Sequence, residues 1–235
     1  MRLRLMTYNV RVGVESSLAA LADAIRAVGV PDVLALQEIG VDWNMGERVD
    51  QPAVLAASIG LPHQSFGGAL TDAAGGRFGV ALACRWPLAD VQLTALPRDR
   101  DEQRVLLRAR VEAPIPFTAF CTHLSVHAHE REAQAVVVAE AVAATSGPVV
   151  LLGDLNDRPG TPTVLAVRGA LTDCFDARGE GPAETFSVRD PHRRIDYVLV
   201  GGGLEPDGPA RVARAATASD HFPLVAEARF GHAVG

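Results

Sequence analysis

The chain has 235 residues, of which 48% are hydrophobic, which is enough for one domain with a full core without requiring a second. Its net charge of −6 argues against a protein that coats nucleic acid, because such binding rests on many basic contacts to phosphates. All 22 basic residues are arginine, so a lysine nucleophile, a Schiff base and a P-loop lysine are excluded.

The sequence predicts no membrane span, signal peptide or disulfide. No run approaches the roughly 18 uninterrupted apolar residues of a membrane span, and polar Thr7 and Asn9 come too early for a signal peptide. We therefore expect a cytoplasmic monomer. The cysteines, Cys84, Cys121 and Cys174, are odd in number and widely spaced, so we expect buried free thiols.

The first two predicted strands each end in a polar residue. Residues 2–10 alternate in polarity and predict a strand that closes on Asn9. A serine-capped helix through about Val28 is expected next. The apolar run at 33–38 then predicts a buried strand that ends in the carboxylate of Glu38.

The middle of the chain predicts hairpin strands and a short helix. Trp43 lies in a polar loop over 40–50, where it could cover a site or pack on the core, and we favour packing. The mixed-charge segment 98–104 is interpreted as a solvated turn, except for Arg104, which enters the next strand. The predicted elements are a helix at 51–59 and strands at 64–69, 77–84, 91–96 and 105–111.

A third apolar strand, over 115–121, leads into His123, and a long helix is expected over 130–145. His123, His127 and His129 could suggest zinc, because histidines close together in sequence are common ligands. Their spacing does not fit one helix face and no cysteine lies nearby, so we do not expect a zinc site.

The stretch from Gly147 to Asp157 contains the clearest polar strand ending. A buried strand at 149–152 is followed by Asp154 and Asn156, whose i, i+2 spacing can turn both side chains towards one site. Such a pair could hold a hydrated cation or a nucleophilic water. A strand that ends in an Asx-type turn is the alternative.

The last third of the chain combines a long loop with two further polar positions. The loop at 176–193 is rich in glycine, proline and arginine. Asp196 lies within the predicted strand 194–200, where an ionised carboxylate needs a partner. A final strand begins after Asp220 and His221.

Polar residues thus mark the ends of six apolar segments, and strand ends can meet at one rim of packed sheets. Alternation of these strands with two long helices predicts α/β layering. Oxygen ligands of this kind suit Mg²⁺ or Mn²⁺, and histidines suit proton transfer and phosphate binding.

The polar positions fall in six short motifs, which are Thr7-Tyr8-Asn9-Val10, Leu36-Gln37-Glu38, Thr122-His123-Leu124, Gly153-Asp154-Leu155-Asn156, Arg194-Ile195-Asp196-Tyr197 and Ser219-Asp220-His221. In this order, from residue 7 to about residue 228, the chain resembles the endonuclease/exonuclease/phosphatase (DNase I-like) superfamily. The resemblance implies one domain over 1–235 with an α/β fold, a four-layer α/β/β/α sandwich of two packed mixed β-sheets flanked by helices.

The same resemblance implies a metal site. Glu38 would be the main carboxylate ligand of a Mg²⁺ or Mn²⁺ ion, with Asn9 beside it and Asp220 near it.

The resemblance also implies catalytic roles. Asp154 would orient or deprotonate the attacking water, with Asn156 holding water or phosphate. His221 would contact the phosphate and be kept cationic by Asp196, and His123 would contact the phosphate or the leaving oxygen. Either Asp154 or His221 could be the general base.

We therefore expect a divalent-metal-dependent hydrolase of a small or lipid-derived phosphoester. The alternative is a nuclease that contacts DNA or RNA through the Trp43 loop and Arg189, Arg193 and Arg194. A non-catalytic binding protein is disfavoured because every expected site position is retained. Inositol polyphosphate 5-phosphatases are disfavoured because an aromatic-Cys-Asp-Arg element is missing around Asp196, and abasic-site endonucleases because basic flanks are missing.

Overall fold

Two β-sheets and their flanking helices account for the computed structural model, which describes residues 1–231. The helices are α1 (Leu18–Val28), α2 (Gln51–Ile59), α3 (Ala128–Ala143), α4 (Pro162–Arg168) and α5 (Cys174–Arg178), with a 3-10 helix at Arg11–Gly13. The strands are β1 (Arg2–Asn9), β2 (Val33–Val41), β3 (His63–Thr71), β4 (Arg77–Cys84), β5 (Leu88–Ala95), β6 (Val105–Val111), β7 (Phe117–His123), β8 (Val149–Asp154), β9 (Thr172–Asp173), β10 (Asp196–Gly201), β11 (Leu204–Pro206), β12 (Arg211–Val212) and β13 (Leu224–Phe230).

Both sheets are mixed. The first has the order β11-β13-β1-β2-β4-β3, with β12 also paired to β13, and the second has the order β5-β6-β7-β8-β10-β9. β1 and β2 are parallel in the first sheet, as are β7 and β8 in the second, and the other named pairs are antiparallel.

Strand alternation divides the core into three layers of apolar contact. Leu5 of β1 and Leu152 of β8 belong to the cluster between the sheets. Their neighbours Met6 and Leu151 point the other way, into clusters shared with α1 and α2 or with α3 and α4. The predicted α/β/β/α sandwich is therefore confirmed. No helix among residues 1–231 is long and apolar enough to cross a membrane.

Most predicted elements are present with ends shifted by a few residues, and the serine cap of α1 is Ser17. Three differences stand out. Asp196 is the first residue of β10, so it lies at the start of the strand and not, as was predicted, within it. The predicted loop at 176–193 overlaps the end of α5. The strands β9, β11 and β12 have only two or three residues each, too few to show a period in sequence.

The structure gives definite surroundings to the cysteines, to Trp43 and to the segment 98–104. The cysteines are buried and free, as predicted. Trp43 is half-buried against Phe78, with ring centroids 5.4 Å apart, which agrees with packing. The segment 98–104 is largely exposed, but Glu130 of α3 accepts hydrogen bonds from its backbone and Arg104 is buried.

Candidate active site

Strand register aligns three of the predicted site residues in the second sheet. His123 at the end of β7 is paired with Asp154 at the end of β8, and Asp154 is paired in turn with Asp196 at the start of β10. Because β7 and β8 are parallel and β10 is antiparallel to them, two strand ends and one strand start meet at the same edge. Residues 123, 154 and 196 therefore form a row across neighbouring strands.

The first sheet contributes Asn9 and Glu38 to the same edge. A bulge between Gln37 and Ile39 places Glu38 in the left-handed region, with φ of 51°. Such bulges redirect a side chain out of the regular alternation. The amide of Asn9 donates to Glu38 Oε1 at 2.8 Å and to Asp154 Oδ2 at 3.1 Å, so it joins the two sheets at the site. Its oxygen accepts the backbone N–H of Arg11.

His221 lies between two buried carboxylates. Its Nδ1 is 2.9 Å from Asp196 Oδ2, and its Nε2 is 3.6 Å from Asp154 Oδ2. Burial alone would lower the pKa of His221, but the charges of Asp196 and Asp154 outweigh it and raise the pKa to about 10. The protonated imidazole is therefore the partner that a buried Asp196 carboxylate needs.

We expect His221 in the metal-free protein to keep its proton through the neutral range and to lose it as the pH rises towards about 10. Replacing Asp196 with asparagine removes the attached charge, so His221 should titrate at lower pH in Asp196→Asn. Ring ¹⁵N chemical shifts measure this directly. Asp190→Asn, at an exposed position, is the control, and an unchanged titration in Asp196→Asn would contradict the assignment.

The Asp154–Asn156 segment forms an Asx turn and also faces the site, so both interpretations of the sequence apply. Asp154 Oδ1 accepts the backbone N–H of Asn156 at 2.9 Å, which is an Asx turn, and Asn156 has φ of 51°. Asp154 Oδ2 meanwhile faces the Asn9 amide and His221. Burial and the nearby charge of Asp196 raise the pKa of Asp154 to about 7. Gly153 is required here because a Cβ would lie 2.3 Å from the Thr122 oxygen of β7.

His123 is neutral. Burial lowers the pKa of His123 well below its usual value, and the Arg104 guanidinium, whose Nη1 is 2.8 Å from His123 Nδ1, lowers it further. The Asn156 amide donates to the Leu124 carbonyl oxygen and lies 3.0 Å from His123 Nε2. His127 and His129 are exposed at the start of α3, apart from this group.

These side chains surround a cleft of about 370 Å³. Of the eight predicted site residues, six line it, and Asn9 and Asp196 lie behind Glu38 and His221. Asp220 lines the cleft with its carboxylate 3.3 Å from the Arg11 guanidinium. The lining is Arg11, Glu38, Arg104, His123, Val126, Asp154, Asn156, Phe186, Arg193, Ile195, Asp220 and His221.

Sequence reasoning missed four lining residues as site components: Arg11, Val126, Phe186 and Ile195. It singled out Arg104 as the exception in its turn without giving it a role, and it considered Arg193 only as a nucleic-acid contact. No local signal identifies Phe186, since it lies in an irregular loop. Arg11 follows directly after the Asn9 motif, and that proximity is the one signal that could have suggested it.

Arg194, a suggested nucleic-acid contact, is instead buried in an ion pair. Its guanidinium lies 2.8 Å from Asp173 and 2.5 Å from Asp176, and its side chain is only 5% exposed. It also packs over the rings of Phe175 and Tyr197. A side chain with these partners cannot reach a polynucleotide, so this assignment was wrong.

We expect Arg194→Met to lower the free energy of unfolding by about 3 kcal/mol, because it leaves Asp173 buried without its cation. Urea denaturation measures the change. Arg178→Met, at an exposed position on α5, should stay within about 0.5 kcal/mol of the wild type. Equal stability of the two variants would show that the buried pair contributes little.

One group of side chains among the described residues brings several potential ligand atoms together, and the carboxylate of Glu38 lines the same cleft. Asp154, Asp196 and His221 bring one ligand atom each within 4.8 Å of one another. However, Nδ1 of His221 is engaged with Asp196, and the raised pKa of His221 favours the protonated ring, which cannot ligate a metal. Glu38 has no such conflict. Its carboxylate opens to the cleft, and burial raises its pKa, so a cation there would supply missing positive charge.

Comparison with known proteins agrees with this geometry. The profile of the Endonuclease/Exonuclease/phosphatase family matches residues 6–221. A structure of an endonuclease/exonuclease/phosphatase from Beutenbergia cavernae is 27% identical, with a TM-score of 0.85 over 100% of this chain and 73% of that one. No curated protein matches.

Two further structures are more distant and show the shared fold. A mannosyl-6-phosphatase from Bacteroides thetaiotaomicron is 17% identical, with a TM-score of 0.78 over 97% of this chain and 100% of that one. The human nocturnin catalytic domain is 20% identical, with a TM-score of 0.72 over 97% of this chain and 94% of that one. With the profile match over most of its length, the chain belongs to the endonuclease/exonuclease/phosphatase family, whose members are hydrolases that act on phosphoester bonds with divalent metals.

Proposed function

We propose that this protein hydrolyses small phosphoesters in a reaction that depends on Mg²⁺ or Mn²⁺. The observation that carries the proposal is the cleft of about 370 Å³, which has the size of a small-molecule site and is lined by Glu38, His123, Asp154, Asn156 and His221. Hydrolysis of a phosphoester needs positive charge for the phosphoryl oxygens, a positioned base and hydrogen-bond donors, and this lining offers each of them.

Glu38 would hold the cation, with Asp220 as a further carboxylate at the cleft. Asn9 is arranged as a donor that holds Glu38 and Asp154 together, since its oxygen accepts the Arg11 N–H. Asn9 would ligate the ion only with its amide turned over, which would give up both of these donated hydrogen bonds. When bound, the ion would neutralise phosphoryl oxygen charge.

The protonation states divide the catalytic work between the other residues. His221, cationic at neutral pH, would bind a phosphoryl oxygen and not serve as the base. Asp154 is then the base for the attacking water, since its raised pKa suits proton transfer near neutrality. Neutral His123 would contact a phosphoryl or leaving oxygen, and the Asn156 amide would help to orient it.

Charge distribution favours a small substrate over a polynucleotide. Arg11 is paired with Asp220 and Glu15, Arg189 with Glu15, and Arg104 with Asp101. A nucleic-acid path needs a track of basic groups free to contact phosphates. Because these arginines pair with acidic side chains, the described residues contain no continuous basic path along the cleft. Its positive charges act only locally.

The test is a panel of substrates with Mg²⁺ and with Mn²⁺. It contains phosphomonoesters that include mannose 6-phosphate, phosphodiesters, nucleotides, lipid head groups and plasmid DNA. We expect turnover of a small phosphoester that changes little with salt. DNA cleavage that falls steeply with salt would favour the nuclease alternative. Turnover no faster than that of a Glu38→Ala, Asp154→Ala double variant would overturn both.

A further inference from the structure

One arginine in the cleft differs from the other arginines around it. Arg193 is half-buried, and its Nε is buried without a hydrogen-bond partner among the described residues. None of its guanidinium N–H groups donates to a described side chain or carbonyl, and no described carboxylate forms an ion pair with it. Arg11 and Arg104, in the same cleft, both pair with carboxylates. The chain has a net charge of −6, so carboxylates are plentiful. Fold stability alone therefore gives no reason for a guanidinium at the cleft to lack a carboxylate partner.

The position of Arg193 is fixed by its backbone. Its N–H donates to the Phe186 carbonyl oxygen, and its own carbonyl oxygen accepts the Phe186 N–H, both at 3.0 Å. The Arg193 guanidinium lies over the Phe186 ring, 4.7 Å from its centroid. A guanidinium stacked on a ring keeps the N–H groups at its edge free for hydrogen bonds. Because the stacking already fixes its orientation, it loses little entropy when it binds an anion.

Phe186 connects this guanidinium to the catalytic group. Its ring centroid is 4.8 Å from that of His221, and the two residues also form a backbone bridge. His221 contacts Asp154 and Asp196, whereas Arg193 contacts neither. Arg193 and His221, the group that would bind the scissile phosphoryl, therefore both pack against Phe186 and both line the cleft.

From this geometry we propose that Arg193 binds a second anionic group on the alcohol part of the substrate. The preferred substrates are then phosphoesters whose leaving alcohol itself carries a carboxylate or another phosphate. This rests on the proposed function and names the substrate class of the same site. Arg193 acts as a specificity-determining residue, because the proposed function already assigns the scissile phosphoryl to His221, His123 and Asn156.

A matched pair of substrates isolates this contact. Glycerol 3-phosphate and 3-phosphoglycerate share one skeleton, in which a hydroxymethyl group is replaced by a carboxylate. We expect the wild type to prefer 3-phosphoglycerate. In Arg193→Met, kcat/KM for 3-phosphoglycerate should fall roughly tenfold or more, mainly through KM, and that for glycerol 3-phosphate by less than about twofold.

Two further variants distinguish recognition from a structural effect. Arg193→Lys keeps the charge but not the paired N–H donors of the guanidinium. Its kcat/KM for 3-phosphoglycerate should therefore fall less than that of Arg193→Met. Arg178→Met, an exposed arginine outside the cleft, should match the wild type on both substrates. Equal losses of Arg193→Met on both compounds, or no loss on either, would overturn the proposal. If Arg193→Met fails to fold by circular dichroism, the lysine variant is judged by the same criterion.

A failure of the Arg193 proposal can be distinguished from a failure of the proposed phosphoesterase function. If the wild type hydrolyses other phosphoesters and neither of these, the two compounds are compared as competitive inhibitors, with the same expected ratios. If it hydrolyses no phosphoester, the proposed function fails. Calorimetric binding of the two compounds in the presence of Mg²⁺ then decides the Arg193 proposal by itself, and equal affinities would overturn it.

Discussion

Glu38→Gln is expected to lose calorimetrically detectable binding of Mg²⁺ and Mn²⁺ and to lower kcat/KM by at least about a hundredfold. Glutamine keeps the shape of the side chain and one oxygen, but it removes the negative charge that makes the site favourable for a divalent ion. We assign this role to Glu38 because its carboxylate lines the cleft and the Asn9 amide holds it close to Asp154 by donating to both carboxylates.

A comparison variant makes the result specific. Glu132→Gln, at an exposed position of α3, removes the same charge away from the cleft and should bind metal like the wild type. If Glu38→Gln binds Mn²⁺ with wild-type affinity, the cation lies elsewhere. The cluster of Asp154, Asp196 and His221 would then be the first place to look.

The polar strand endings were predictable because each follows a segment whose apolar pattern predicts a strand. Asn9, His123 and Asp154 are the last residues of β1, β7 and β8, where the sequence predicts polar ends within a residue or two. Packing of the sheets then brings these ends together. The sequence could not show which ends are adjacent, because strand order depends on pairings between distant segments.

Other parts of the site depend on tertiary structure alone. The bulge that turns Glu38 into the cleft has no sequence signature here, and Phe186 meets His221 through a backbone bridge and a ring contact between two irregular segments. The environment of Arg194 was misjudged for a related reason. An arginine in a loop next to other arginines indicates exposure, whereas its real partners, Asp173 and Asp176, lie about twenty residues earlier.

Asp154→Asn is expected to lower kcat by roughly a hundredfold to ten-thousandfold while leaving metal binding in place. The variant keeps the turn at Asn156, since an amide oxygen can accept the same backbone N–H. It removes the group assigned as the base. Asp190→Asn, at an exposed position, serves as the control. A kcat within a few-fold of the wild type would mean that another group takes the proton from water.

The pH profile separates a base from a merely structural carboxylate. Burial and the charge of Asp196 raise the pKa of Asp154 to about 7, so the ionised, proton-accepting fraction increases as the pH rises through neutrality. The rate of the wild type should therefore rise with pH on its acidic limb. A bound cation stabilises the ionised form, so this limb should lie at lower pH when metal is saturating. Asp154→Asn should lose the limb altogether, because its side chain has no proton to release.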